Sequence, residues 1–208
     1  MCDIAELCYE IAGSKDAFRD RPFLSLSINH AVPPLRFSDD ACDVLLAAAE
    51  QGMLIAASVR VAQYLDLPNP TIAGATDSKA VDAQSGFEKY ISVSLAAQTG
   101  ANMITQSCGM LSGLMACSHE AYVVDNDMLG VILRTLSPVE MSESALNLDA
   151  IESVVAGEGH FLGHPETYKR MQTDFLYPEI SDRRAREDWE ADGRPYPDTC
   201  QCACTRYS

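Results

Sequence analysis

The stretch TIAGATDSKAVDAQSGFEKYISVSLAAQTGANMIT, residues 71–105, decides the fold. A short strand-like run from Thr71 to Ala73 passes through Gly74 to Asp77 and then into a helical pattern with apolar residues at Phe87, Ile91 and Leu95. That spacing predicts a helix whose buried face runs through those three residues. Ala101 to Thr105 reads as a second strand, followed by the glycine-containing loop QSCGMLSGLMACS, residues 106–118, and a helix from about His119 to Leu136. Strand, loop and helix repeat, which favours a parallel sheet or an α/β barrel over an antiparallel fold.

Outward from this core the pattern continues. Cys2 to Ala12 carries the helical stripe Ile4, Leu7, Cys8 and Ile11, and Phe23, Leu24, Leu26 and Ile28 form a strand-like run ending at Pro33-Pro34. Ser38 caps a helix with Asp39 and Asp40 in its first turn. From Asp39 to about Leu65 only Gly52 interrupts that helix, and Pro68 and Pro70 end it. A shorter helix, about Leu148 to Ala156, closes at Gly157.

The 208 residues, 47% hydrophobic and 22% charged, bound a globular protein with a substantial core. A net charge of -15 argues against nucleic acid or an anionic membrane as partner, because both attract clustered Lys and Arg. The first residues lack the basic flank and apolar core of a secretory signal, so a cytoplasmic location is expected. Of eight cysteines, Cys2, Cys8, Cys42, Cys108 and Cys117 are scattered singly, as buried free thiols are. Cys200, Cys202 and Cys204 form a CQCAC cluster too tight for a zinc knuckle, so no metal site is expected.

Ligand-binding groups in parallel α/β folds gather in loops leaving the C-terminal ends of strands. The loop GATDSKAVDAQSGFEKY, residues 74–90, supplies Asp77, Lys79, Asp82, Gln84 and Glu88 there, with Asp77 equally suited to cap the following helix. Asp82 and Glu88, six residues apart, do not share a narrow helical face, so they form no tight dyad. Lys79 suits a Schiff-base lyase or aldolase, but its acidic neighbours favour the charged amine. Gly109 and Gly113 allow backbone close to a ligand. Tyr122, Asp125, Asn126 and Asp127 lie on the next helix, where the acidic residues suit a solvated face or helix-packing contacts. His160 and His164 occupy the glycine-flanked loop GHFLGHP, and Pro165 at a first helical position puts His164 at the helix N-terminus in a neutral, hydrogen-bonding role.

The phrases TDSKAVDAQSGFEK, TGANMI, YVVDND and GHFLGHPETY, with the run to DWEADG, resemble those of the trimethylamine methyltransferase family. The resemblance implies an α/β fold, the TIM (β/α)8 barrel, here an incomplete barrel made of its C-terminal portion. Residues 1–193 form the barrel domain, with an apparent internal deletion near 52–57, and 194–208 form an atypical, unstructured tail. It also implies transfer of a methyl group from trimethylamine or a quaternary amine such as glycine betaine to the cobalt of a corrinoid (cobalamin). That corrinoid protein is the partner, and no cofactor is expected on this chain itself. His160, His164 and Asp77 are the candidate catalytic groups, and Gln84, Glu88, Tyr122 and Gly113 the candidate substrate contacts. The histidines would hydrogen-bond substrate or corrinoid, and the carboxylates would face the cationic nitrogen. No pyrrolysine is written here, so the chain resembles the quaternary-amine branch more than the trimethylamine one. A shortened, inactive relative is the alternative, and homo-oligomerisation is left open.

Overall fold

A computed structural model describes residue 6 and residues 9–20, 49–157 and 159–192. In chain order the elements are α1 (Lys15–Asp20), α2 (Ala49–Tyr64), β1 (Pro70–Ile72), α3 (Ala83–Thr99), β2 (Met103–Thr105), β3 (Met110–Leu111), β4 (Ala116–Cys117), α4 (His119–Leu136), α5 (Glu143–Leu146), α6 (Leu148–Ala156), α7 (Pro165–Thr173) and α8 (Arg186–Asp192). Of the helix expected over Cys2 to Ala12, residue 6 and residues 9–12 are described and are helical, while the strand-like run at Phe23 to Ile28, His30 and the first half of the long helix lie outside the described residues, as do residues 193–208 with the CQCAC cluster.

Asp82 starts α3 and Gly100 ends it. The Asp82 carboxylate accepts the Ser85 backbone N–H while the Ser85 hydroxyl accepts that of Asp82, a reciprocal capping box. Gly100 adopts φ 87°, the left-handed turn that closes a helix C-terminus. The helix therefore begins at Asp82 rather than Asp77. It forms the crossover between β1 and β2, which pair in parallel with Pro70 opposite Met103, Thr71 opposite Ile104 and Ile72 opposite Thr105. A crossover helix is what parallel pairing demands. β3 and β4 form an antiparallel hairpin inside the loop expected to be a glycine-containing turn. Among the described residues the strands make two two-stranded sheets and no closed barrel.

The core sits where α2, α3 and α4 meet the parallel pair. Ile55 and Val59 of α2, Ala73, Val93 and Ala96, and Ile132 of α4 are buried together, with Ile104, Met128 and Leu129 packed around them. α2 runs unbroken through the 52–57 junction. A methyl group at Gly52 would come within 2.8 Å of Leu95 Cδ1, so this glycine is a close helix approach and not an interruption. At the other end of the contact the Gln63 amide donates to the Thr99 carbonyl at 2.8 Å.

The face that α3 buries is the reverse of the expected one. Ser85, Glu88, Lys89 and Ser92 are buried, whereas Phe87 is 63% exposed and Ile91 is 38% exposed. Loop groups, Gln84 and a carboxylate from α4 hydrogen-bond this polar stripe, and none of its side-chain atoms is among those buried without a hydrogen-bond partner. Phe87, Tyr90, Ile91 and Leu95 instead line an open groove of about 1010 Å³.

Beyond α4 the chain forms short, locally capped helices. The side chains of Ser118, Ser142 and His164 cap α4, α5 and α7. Arg134 donates twice to the Asp174 carbonyl, and Asp127 accepts the Glu179 N–H and the Ser181 hydroxyl. These contacts hold the C-terminal segment against α4. No described helix is long and apolar enough to cross a membrane.

Candidate functional site at the strand ends

Two loops leave the C-terminal ends of β1 and β2, and both are held by α3. The buried Glu88 carboxylate organises the first: Oε2 accepts the Thr76 hydroxyl at 2.6 Å and the Asp77 N–H at 3.0 Å, and Oε1 accepts the Gln84 amide at 2.9 Å. One turn later the Ser92 hydroxyl accepts the Gly74 N–H at 3.1 Å. Ser78 completes the loop, its N–H donating to Thr76 Oγ1 and its hydroxyl to Asp82 Oδ2. The Ser85 N–H and that Ser78 hydroxyl hold the Asp82 carboxyl below the usual carboxylate range. Lys79 reaches back 2.6 Å to the Asp77 carbonyl, a hydrogen bond within its own loop.

The second loop lies across the first. A side chain at Gly74, where φ is +96°, would meet the Ser107 backbone at 2.8 Å, so only glycine lets the two main chains cross. The Ser112 N–H donates to the Ser78 carbonyl and the Gly113 N–H to the Thr76 carbonyl, each at 2.8 Å. A methyl group at Gly113 would stand 3.4 Å from Asp77 Oδ1, which places the Asp77 carboxylate beside the hairpin turn. Gln106, Ser112 and Leu114 hold left-handed backbone at φ 60°, 51° and 73°. Such residues cost about 1 to 3 kcal/mol each and cluster where surrounding structure enforces them.

Behind the second loop, Asp125 Oδ2 receives both the Gly109 N–H at 2.7 Å and the Lys89 ammonium at 2.6 Å. Lys89 and Asp125 are buried, so Asp125 makes a helix-packing contact, an internal ion pair between α3 and α4, and does not belong to a solvated face. The Tyr122 ring lies against Gly109, where an added Cβ would come within 2.4 Å of it.

The structure thus gathers Asp77, Gln84, Glu88 and Gly113 into one constellation, with Tyr122 supporting its second loop. Glu88 and Gln84 hold the loop in place and are committed to it. The histidines stand elsewhere: His164 Nδ1 accepts the Glu166 N–H at the start of α7, and His160 is exposed in the preceding loop. Cys108 and Cys117 are free, but half-buried and exposed instead of buried.

Thr76, Ser78, Lys89, Ser92 and Asp125 escaped the sequence reading as site residues. Ser85, Glu88 and Ser92 recur at helical spacing just as Phe87, Ile91 and Leu95 do, and that polar stripe was the available signal. No group of candidate metal ligands occurs among the described residues.

A parallel βαβ unit carries polar loops that cross at the C-terminal ends of its strands, the position at which α/β folds generally bind ligands. A family model described as Trimethylamine methyltransferase (MTTB) matches residues 49–206, and the chain belongs to that family. It is 32% identical over 172 residues to glycine betaine methyltransferase from Desulfitobacterium hafniense (strain Y51), covering 80% of this chain and 36% of that relative. It is 34% identical over 149 residues to trimethylamine methyltransferase MttB from Methanosarcina thermophila, covering 71% of this chain and 30% of the relative. The chain therefore spans about a third of the length of these curated relatives.

Proposed function

We propose that the chain contributes the strand-end site of a methyltransferase that takes a methyl group from an N-methylated amine, of the quaternary kind that includes glycine betaine. In this reading its parallel βαβ unit is part of a (β/α)8 barrel. The observation that carries the proposal is the Asp77 carboxylate, presented beside Gly113 by two crossing loops inside the stretch the family model matches. A carboxylate in that setting suits a fixed cationic nitrogen. The methyl acceptor is a second substrate, a reduced corrinoid carried by a partner protein, which supplies the electron pair that receives the methyl group. The carbon–nitrogen bond breaks with its electrons going to nitrogen, so a quaternary amine leaves as a neutral tertiary amine without a proton. What remains for the protein is orientation: Asp77 faces the cation, while Glu88 and the paired loops fix where Asp77 stands.

The test mixes folded chain, reduced corrinoid protein and glycine betaine and follows the cobalt absorption spectrum. Methylation that is lost in Asp77→Asn supports the reading. A flat spectrum with every methylated amine tried would overturn it. The second reading, a relative without activity of its own, draws on Met103, which is 57% exposed on β2. A parallel sheet is normally covered on both faces, and among the described residues Met103 lacks that cover.

A further inference from the structure

Glu88 and Lys89 are consecutive on α3, yet they govern different loops. Glu88 binds the first strand-end loop directly, through the Thr76 hydroxyl and the Asp77 N–H. Lys89 reaches the second through Asp125: a single oxygen, Oδ2, lies 2.6 Å from the ammonium and 2.7 Å from the Gly109 nitrogen. Gly109 is otherwise pinned by its left-handed φ of 82° and by the Tyr122 ring pressed on its Cα. Its carbonyl accepts the Ser118 N–H and so closes the base of the β3–β4 hairpin, whose turn donates to the Ser78 and Thr76 carbonyls beside Asp77. One helix is thereby the common reference for both loops.

Holding α3 to α4 does not need charges. Apolar residues of similar volume would serve the packing as well, because two buried ions lose their hydration before they attract one another. What they would not supply is an acceptor for the Gly109 N–H. We propose that Lys89 and Asp125 are positioning residues of the strand-end site, their shared carboxylate oxygen setting where the hairpin stands relative to Asp77. This rests on reading the strand-end loops as the site of methyl transfer.

Two double variants separate positioning from packing. Lys89→Met with Asp125→Asn removes both charges but keeps an oxygen for Gly109, whereas Lys89→Met with Asp125→Leu removes the acceptor too. Amide hydrogen exchange read at Gly109, Ser112 and Gly113, with α3 and α4 as internal controls, needs no activity. The expected result is loop exchange faster by about tenfold or more in the Leu variant alone, with helix amides unchanged. Equal behaviour of the two variants would overturn the proposal. So would a Leu variant in which helices and loop loosen together, since the pair would then serve packing only. Titration with glycine betaine is the separate arm: no binding to the unaltered protein counts against the methyl-transfer reading, while the exchange contrast still decides the role of the pair.

Discussion

The β1–α3–β2–α4 region and the segment that follows it, residues 137–192, use polar groups in opposite ways. In the first, buried side chains bond across long sequence separations: Glu88 to Thr76, Ser92 to Gly74, Lys89 to Asp125. In the second, ion pairs such as Arg170–Asp174, Arg186–Glu190 and Arg184–Asp182 join neighbours on the same helix or turn, and these pairs are largely exposed. The apolar residues differ as well. Leu148, Ile151 and Val155 form a stripe on α6 that is mostly exposed, whereas the core under α3 is closed. Long-range polar bonds fix one arrangement of loops, and local pairs only steady the helices that carry them.

Breaking the first region should therefore cost most. Replacing Lys89 by Met alone leaves Asp125 buried without its counter-charge, and a loss of about 3 to 5 kcal/mol is expected in denaturant unfolding. If instead the loss is no larger than for a surface pair, the contrast between the regions fails. Ile132→Ala, which empties a site in the closed core, should cost about 2 to 5 kcal/mol by the same measurement. Ser118→Ala, which removes the acceptor for the Ala121 N–H at the start of α4, should cost about 1 kcal/mol. In the second region Arg186→Ala should change stability by about 0.5 kcal/mol or less.

Acid sharpens the same comparison at the start of α3. Because hydrogen bonds depress the folded-state value for Asp82, its contribution is fully present above the ordinary carboxylate range of about pH 4 and fades as pH falls through the depressed value. Asp182, lowered to about 2 by hydrogen bonds from Arg184, follows the same sign. Amide exchange at Ser85, followed from pH 5 to pH 2, should rise over that interval in the folded protein and should be insensitive to pH in Asp82→Asn once intrinsic exchange is corrected.

Local signals made much of this fold legible. The alternation of strand, loop and helix put α4 and α6 at their observed bounds, the latter closed by Gly157, and strands near β1 and β2. The face of α3 was not legible, because two stripes share its period and hydrophobicity favoured the wrong one. Asp77 and Asp82 both suit a helix start, and the serine three residues after Asp82, which returns a hydrogen bond, settles it. Four of the seven candidate site residues, Asp77, Gln84, Glu88 and Gly113, come together because three lie in one loop-helix stretch and the fourth follows the next strand. The Lys89–Asp125 pair spans 36 residues and leaves no local trace. His164 carried a local signal too, and in the structure it caps α7.

The crossing of main chains at Gly74 and Ser107 bears on how this site can change over generations. A side chain at position 74 is blocked by backbone, which cannot be cleared by substituting Ser107, so neither loop can be remodelled while the other stays put. Side-chain changes in the loops, at Asp77 for example, leave the crossing intact, whereas changes in the path of either loop do not. The crossing makes two separate segments of chain inherit as one.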